Sequence, residues 1–483
     1  MLHNELIRRD RLEMPPRRGN VLRGSATKRV VALVALVLLA PGADAQTQPA
    51  ARESAQSLTL QEAVRIALQK NPTIQAADAY AQAVQEGITA AKAFRYPRLD
   101  FSEGFTRGDN PVYVFGTLLT QRQFTAANFA LSFLNTPPPL DDFRTGLTAT
   151  MPLYDAGQIS RLVRDAKLQA QSAQKGKDRT QQEVVFQVIN AYLNELLARE
   201  SLRVAKSAVD MTKSDLDRAR ARQENGLAVP SDLLSAEVQL AQAEEDLLRE
   251  QNAVELAHAV LNVAMGLPED APTAIAGNLS EASFNAGSLD EKQAKALATR
   301  PDYLQVLLGE QQAANGMHMA RAEFLPKVNL FSSWEVDNQT FAARGGNNWA
   351  VGATLNINLF DGGAKIARLK ESKARELQAQ ALETQMASAV RLQVREAYSN
   401  LATAQKRLGV VKDASSQAVE SLRITQSRYE EGLATITDLL RAETARTAAE
   451  KNALNAVFDY RLSYAALELA TGELSANSPA LNQ

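Results

Sequence analysis

The sequence predicts an α+β chain built by internal duplication, each copy carrying two short alternating strands and one very long helical hairpin. Three observations lead there. The chain repeats itself at a fixed offset, one run alternates apolar and polar residues, and the stretches Gly157 to Glu224 and Gly363 to Glu431 contain no proline. Moved by 206 residues, Leu153-Tyr154-Asp155-Ala156-Gly157 falls on Leu359-Phe360-Asp361-Gly362-Gly363. The same offset puts Ala191-Tyr192 on Ala397-Tyr398 and Gly226-Leu227-Ala228 on Gly432-Leu433-Ala434. It also puts Asp232-Leu233-Leu234 on Asp438-Leu439-Leu440 and Gly266 on Gly472. Upstream the offset is 229, so that Leu60, Glu62, Ala67, Leu68 and Pro72 meet Leu289, Glu291, Ala296, Leu297 and Pro301. Two copies of one long unit imply a pseudo-symmetric architecture. The division is residues 1–45, a leader; 46–287, the first copy; and 288–483, the second.

The leader reads as an export signal. Basic residues end at Lys28-Arg29, an apolar run follows from Val30 to Ala40, and Ala43-Asp44-Ala45 is a small-x-small cleavage site. The run is too short to cross a bilayer as a helix. Initiation at Met14 would give a leader of more ordinary length. Eight Lys/Arg and four Asp/Glu lie in the first 45 residues, which leaves 45 basic and 51 acidic residues, a net charge of −6, in the remainder. That balance argues against a general nucleic-acid binder. No cysteine is present, so disulfides, thiolate metal sites and cysteine nucleophiles are excluded. His3, His258 and His318 are isolated from one another, and no phosphate loop or nucleophile elbow occurs. No cofactor, metal or enzymatic activity is expected.

Each copy opens with a short helix. Thr59-Leu60-Gln61-Glu62 is a capping-box pattern. A second helix runs from Asn71-Pro72 to Phe94 and ends before Pro97, and the second copy does the same from Pro301 to Pro326. The strands follow. From Trp349 to Leu359 every odd position is apolar (Trp349, Val351, Ala353, Leu355, Ile357, Leu359), and the even positions include Gly352, Thr354, Asn356 and Asn358. That period of two is a strand with one apolar face. Phe143 to Leu153 alternates in phase, with similar strands around Leu99–Phe105 and Val328–Val336. Such strands, with Trp334 and Trp349 as aromatic anchors, fit an outer-membrane barrel. A soluble sandwich alternates equally well, and the strands alone favour neither. The first copy carries 23 extra residues within Asp109–Asp142, expected as a long outward-facing loop.

The rest of each copy is helical. Val390, Val394, Ala397, Leu401, Ala404, Leu408, Val411, Ala418 and Leu422 recur at heptad spacing, a coiled-coil seam. The long helix stops at Asn225-Gly226 or Glu431-Gly432, where glycine can take a left-handed C-cap. Ser231-Asp232 or Thr437-Asp438 is expected to start the returning helix, with a hydroxyl cap and an acid at its positive end. Four strands cannot close a barrel, and lipid does not tolerate an open sheet edge. If the strands span a membrane, several chains must therefore share one barrel. Three would supply twelve strands.

At this point the chain resembles TolC-family outer membrane efflux proteins over its whole mature length. The resemblance rests on Leu60 to Pro72, on Pro152-Leu153-Tyr154-Asp155-Ala156-Gly157, and on the Gly-Leu-x-x-x-x-Asp-Leu-Leu turns at Gly226 and Gly432. Asn358 replaces the proline in the second copy. The resemblance implies a homotrimer whose twelve-stranded barrel continues into a long α-helical periplasmic barrel. It implies a passive exit duct of a tripartite efflux or type I secretion system, opened by a periplasmic adaptor and an inner-membrane transporter. Asp232, Tyr429 and Asp438 match positions that constrict the periplasmic entrance, while Gly226, Leu227, Gly432 and Leu433 match adaptor-binding tips. Gln223 stands where the first copy would carry the tyrosine. Arg441 stands where the family has a second aspartate, which puts an inner acidic ring in question. The alternative is a periplasmic coiled-coil adaptor or scaffold, which explains the helices but not the strand from Trp349.

Overall fold

The computed structural model describes residues 57–481; the leader lies outside them. The first copy reads α1 (Leu60–Lys70), α2 (Pro72–Ala93), β1 (Arg98–Gly108), β2 (Leu140–Tyr154), α5 (Gln158–Glu224) and α6 (Pro230–Ala264), with α3 (Pro111–Thr120) and α4 (Leu131–Asn135) inserted between its strands. The second reads α7 (Leu289–Thr299), α8 (Pro301–Ala322), β3 (Lys327–Asn338), β4 (Gly346–Asn356), α9 (Ala364–Glu430) and α10 (Ile436–Thr471).

The short helices start where their side chains satisfy free backbone amides. Thr59 and Glu62 form the expected capping box on α1, and Ser288 and Glu291 form its counterpart on α7. Asn71 caps α2, whose first residue is Pro72. The long helices begin after Gly157 and Gly363, both at positive φ, and each runs 67 residues, about 100 Å at 1.5 Å per residue. The predicted seam is buried at Val390, Val394, Leu401, Ala404 and Leu422.

The strands form one antiparallel sheet in the order β1-β2-β3-β4. Registers carry one row straight across it: Phe101 faces Leu147, Leu147 faces Trp334, and Trp334 faces Trp349. Leu99, Ala149, Ser332 and Val351 form the next row on that face. The opposite face carries Asp100, Thr148, Ser333 and Ala350 in one row, and Arg144 beside Asp337 in another. The sheet is therefore amphipathic across its thickness rather than along its strands. A strand of 11 residues is about 36 Å long, and tilted by about 40° it spans an apolar band of roughly 27 Å. Two expectations shift. The strand predicted to run to Leu359 ends at Asn356, with Ile357–Phe360 unpaired before the turn at Asp361. A register irregularity falls between Pro152 and Tyr154, because proline has no N–H to give the ladder.

The main core lies midway along the helices, below the sheet. Tyr192 on α5 sends its hydroxyl to the carbonyls of Leu58 (3.0 Å) and Ala276 (2.6 Å), tying the segment before α1 to the segment after α6. Leu60, Val64, Ile189, Leu193, Leu261 and Leu467 pack around it. Gly266 and Gly472, both left-handed, sit against the backbones of Asn71 and Arg300, where a Cβ would come within 2.7 and 2.9 Å. Helix α5 packs against α2, α6, α8 and α10, whereas α9 packs against α7, α8 and α10. Next to the sheet the helices therefore run α2-α5-α8-α9 and toward the tips α6-α5-α10-α9, so α9 is the outer member on one flank and α2, then α6, on the other.

Candidate functional site at the hairpin tips

The two hairpins end in the same turn. Arg222 and Arg428 carbonyls accept from Leu227 (2.8 Å) and Leu433 (2.7 Å), while Gln223 and Tyr429 carbonyls accept from Gly226 (2.9 Å) and Gly432 (3.1 Å). This pair of bonds closes a helix only when the glycine is left-handed, and Gly226 and Gly432 have φ of +73° and +75°. The leucine that follows has nowhere to pack, so Leu227 and Leu433 are 74% and 64% exposed.

The returning helices start earlier than the sequence suggests. Val229 is the cap of α6, with Pro230 as its first residue, so Ser231 lies inside the helix and caps nothing. Thr435, not Thr437, caps α10. Proline fixes the helical φ at the first position, and the cap must be extended, which Val229 and Thr435 both are. Asp438 then falls at the third helical position. Its carboxylate accepts from the Thr435 amide (3.0 Å) and hydroxyl (2.7 Å), and its own amide donates to the Thr435 hydroxyl (3.2 Å). The Thr435 hydroxyl and amide, helped by Arg441 and Arg428, hold the exposed Asp438 carboxyl below the usual range. Asp232 lies in the first turn of α6, half-buried.

Tyr429 is the point where the hairpins meet. It is 6% exposed and packs with Leu422, Ile436 and Leu439. The Arg222 guanidinium lies 4.6 Å from its ring centre and donates to its carbonyl at 2.8 Å. One turn back along α5, Arg218 reaches Glu430 on α9 (3.1 Å) and also pairs with Asp215. Asp215 and Glu443 of α10 are buried together. Loss of water and a hydrogen bond with Asp215 push the Glu443 carboxyl up to about 9, against the pull of Arg218 and Arg446. Gln239 and Thr444 (3.4 Å), and Lys451 and Glu250 (2.8 Å), then join α6 to α10.

Tyr429 thus sits at the junction of the two hairpins, Asp438 stays within its own hairpin as part of the α10 cap, and Gly226, Leu227, Gly432 and Leu433 form the tips. Asp232 makes no comparable bridge. Sequence reasoning missed Arg218, Arg222, Asp215 and Glu443. The available signal was weak: Arg222 follows Arg218 by one turn, and Asp215 has Ser421 as its counterpart in the second copy. At the other end, Trp334 and Trp349 stand opposite each other near the turn that joins their strands, with Trp349 74% exposed.

A profile of the family described as outer membrane efflux protein matches residues 63–267 and 294–473. The chain is 25% identical over 437 residues to the alkaline protease secretion protein AprF of Pseudomonas aeruginosa, covering 88% of this chain and 86% of that one. It is 24% identical over 365 residues to the outer membrane protein TolC of Vibrio cholerae, covering 74% and 83%. Among solved structures, the outer membrane protein VceC of Vibrio cholerae superposes with a TM-score of 0.71 at 21% identity, over 86% of this chain and 96% of that one. The CmeC outer membrane channel of Campylobacter jejuni does so at 0.73 and 17%, over 87% of each chain.

Proposed function

The chain belongs to the outer membrane efflux protein family, and from that premise we propose that three copies join edge to edge into one twelve-stranded barrel continuing into a helical tunnel. It is an outer-membrane exit duct for efflux or secretion. One observation carries the trimer: the amphipathic sheet has four strands, with β1 and β4 unpaired along their outer edges. A bilayer leaves those edges no water to bond, and closure by copies of the same chain satisfies all of them. The helical layer supports the same ring. In the half toward the tips α9 exposes Val410, Val419 and Ile424, and α6 on the other flank exposes Val238, Leu248 and Leu256. Two different flanks meeting head to tail give a closed rotational ring. The two-copy division, with its boundary between residues 287 and 288, is part of this reading.

The duct performs no bond chemistry. Its closed entrance lies at the hairpin tips, with Tyr429, Asp438 and Asp232 at the constriction. Arg441 beside Asp438 offsets its charge, so an inner acidic ring is weakened. Gly226-Leu227 and Gly432-Leu433 dock a periplasmic adaptor, which links the duct to an inner-membrane transporter. Binding there favours the open arrangement by its differential affinity. Fractionation tests the reading: it expects the protein in outer membranes as an SDS-resistant, heat-modifiable trimer, and a soluble periplasmic monomer would refute it. Crosslinking through a cysteine at position 433 would identify the adaptor and, with it, the cargo class.

A further inference from the structure

The extra residues between β1 and β2 are not a loose loop. They fold as α3, a short turn of 3-10 helix (Ala126–Phe129) and α4, and α3 is anchored at both ends. Asn110 caps its start, and the Tyr113 hydroxyl donates to the carbonyls of Thr106 (3.0 Å) and Leu140 (3.4 Å). Val114 and Leu118 pack on Leu140. At its end the Gln121 amide nitrogen donates to the Asp142 carboxylate and the Asp141 carbonyl, both at 2.9 Å. Arg122 reaches the Asn347 carbonyl at 2.6 Å, and Asn348 donates to the Thr120 carbonyl at 3.3 Å. The fit is close: a Cβ on Gly346 would come within 1.8 Å of the Thr120 oxygen.

The side of the sheet decides what this means. Asp142, Asp337 and Asn348 belong to the polar face, opposite the face of Phe101, Leu147, Trp334 and Trp349. Asp337 accepts from Arg144 (2.7 Å) and Asn348 (3.1 Å), so Asn348, which donates to the insert, is itself held in place. In a membrane barrel the apolar face meets lipid and the polar face lines the lumen. The insert therefore sits on the lumen side, at the end of the sheet away from the long helices. Twelve strands about 4.8 Å apart and tilted about 40° enclose a barrel roughly 24 Å across between backbones. A helix with its side chains is about 10 Å thick, so three of them cover most of that opening.

Resting on the trimer reading, we propose that the β1–β2 insert is an outer lid, a second closure of the duct at its external mouth, latched by Gln121 to Asp142 and by Asn348 and Arg122 across the β3–β4 turn. Cargo leaves only when this latch yields, so the lid limits what re-enters from outside while the tips limit what enters from the periplasm. The absence of native cysteine makes a direct test possible. Thr148→Cys places a thiol on the lumen face of β2, below the lid. A membrane-impermeant maleimide with a bulky polymer tail is applied to intact cells, with Phe341→Cys on the exposed β3–β4 turn as the always-reachable control. The expected result is labelling of Thr148→Cys at least 10-fold slower than the control. It should be restored to near the control rate when residues 111–138 are replaced by a short Gly/Ser linker. The milder Gln121→Ala, Asn348→Ala pair, which keeps the insert, should accelerate labelling several-fold. Equal labelling with and without the insert, in a protein that still runs as an SDS-resistant trimer, would overturn the lid and leave the trimer standing. Loss of the trimer in the unmodified protein would overturn both.

Discussion

Arg222 and Tyr429 join the two hairpins of one chain: the guanidinium lies 4.6 Å from the ring centre and donates to the tyrosine's own carbonyl at 2.8 Å. The residue the sequence points to is thus held through its ring face and its backbone. Both groups survive in phenylalanine. Tyr429→Phe is expected to leave the closed tip nearly intact, whereas Arg222→Ala removes a cation–π contact and a charged hydrogen bond, worth about 1 to 2 kcal/mol, or roughly 5- to 30-fold in the open-to-closed ratio. Single-channel recording of the purified protein in planar bilayers checks this. Equal conductance for Arg222→Ala and the parent would remove the pair from the gate.

Asp438 has a structural task that any gating role must share. Its capping box with Thr435 starts α10. Asp438→Ala should cost about 1 kcal/mol of local stability. Amide exchange over the first turn of α10 reads this directly. Thr435→Ala should expose the same amides, and a difference between the two variants would isolate a contribution of the Asp438 charge itself.

Gly432 and its neighbour Leu433 separate folding from docking. Gly432→Ala forces a Cβ into the left-handed region and should destabilise the turn by about 1 to 2 kcal/mol. Leu433→Glu alters only an exposed side chain and should leave Tm and trimer content unchanged while abolishing complementation of efflux. Retained efflux with Leu433→Glu would take the tip out of the adaptor contact.

The Asp215–Glu443 pair predicts a pH dependence of the closed tip. Glu443 titrates above its ordinary 4.5, near about 9 in the fold, because burial and the hydrogen bond with Asp215 favour its protonated form. A raised carboxyl stabilises fully below its unfolded value and loses that contribution as pH rises toward the folded one, by at most about 1.4 kcal/mol per pH unit. The tip should therefore tighten on acidification across the neutral range. Arg218 and Arg446, which face the pair, limit the slope. Glu443→Gln keeps a donor to Asp215 without the proton and should flatten the dependence. An unchanged pH profile of thermal unfolding in Glu443→Gln would assign the effect elsewhere.

Trp349 and Thr148 test the two faces of the sheet. Trp349→Arg puts a charge on the lipid side and should cost up to about 1 kcal/mol near the interface, reducing the outer-membrane trimer. Thr148→Arg on the polar face should assemble normally and change ion selectivity instead. Assembly loss in the second variant and not the first would reverse the assignment of faces.

Much of the architecture was legible because it is periodic. The heptad seam, the period-two strands, the Thr59–Glu62 box and the αL glycines each follow from local spacing, and the duplication doubled every signal. The misreadings fall where two local rules compete. Ser231 looked like a cap, but Pro230 fixes the first helical residue and moves the cap to Val229. The alternation after Trp349 outlasts the strand, because an extended chain keeps its period of two without a partner beyond Asn356.

Local neighbours in the chain fix the repeating unit and the order of its helices, strands and tip turns; they do not show the helices of the β1–β2 insert or the ends of β4, α6 and α10. Packing brings Arg222 against Tyr429, buries Glu443 together with Asp215, and lays the insert on the polar face. These contacts join residues 207, 228 and 21 positions apart (Arg222 to Tyr429, Thr120 to Asn348, Gln121 to Asp142). No periodicity encodes such pairs: they exist only once the two hairpins and the four strands have been set side by side.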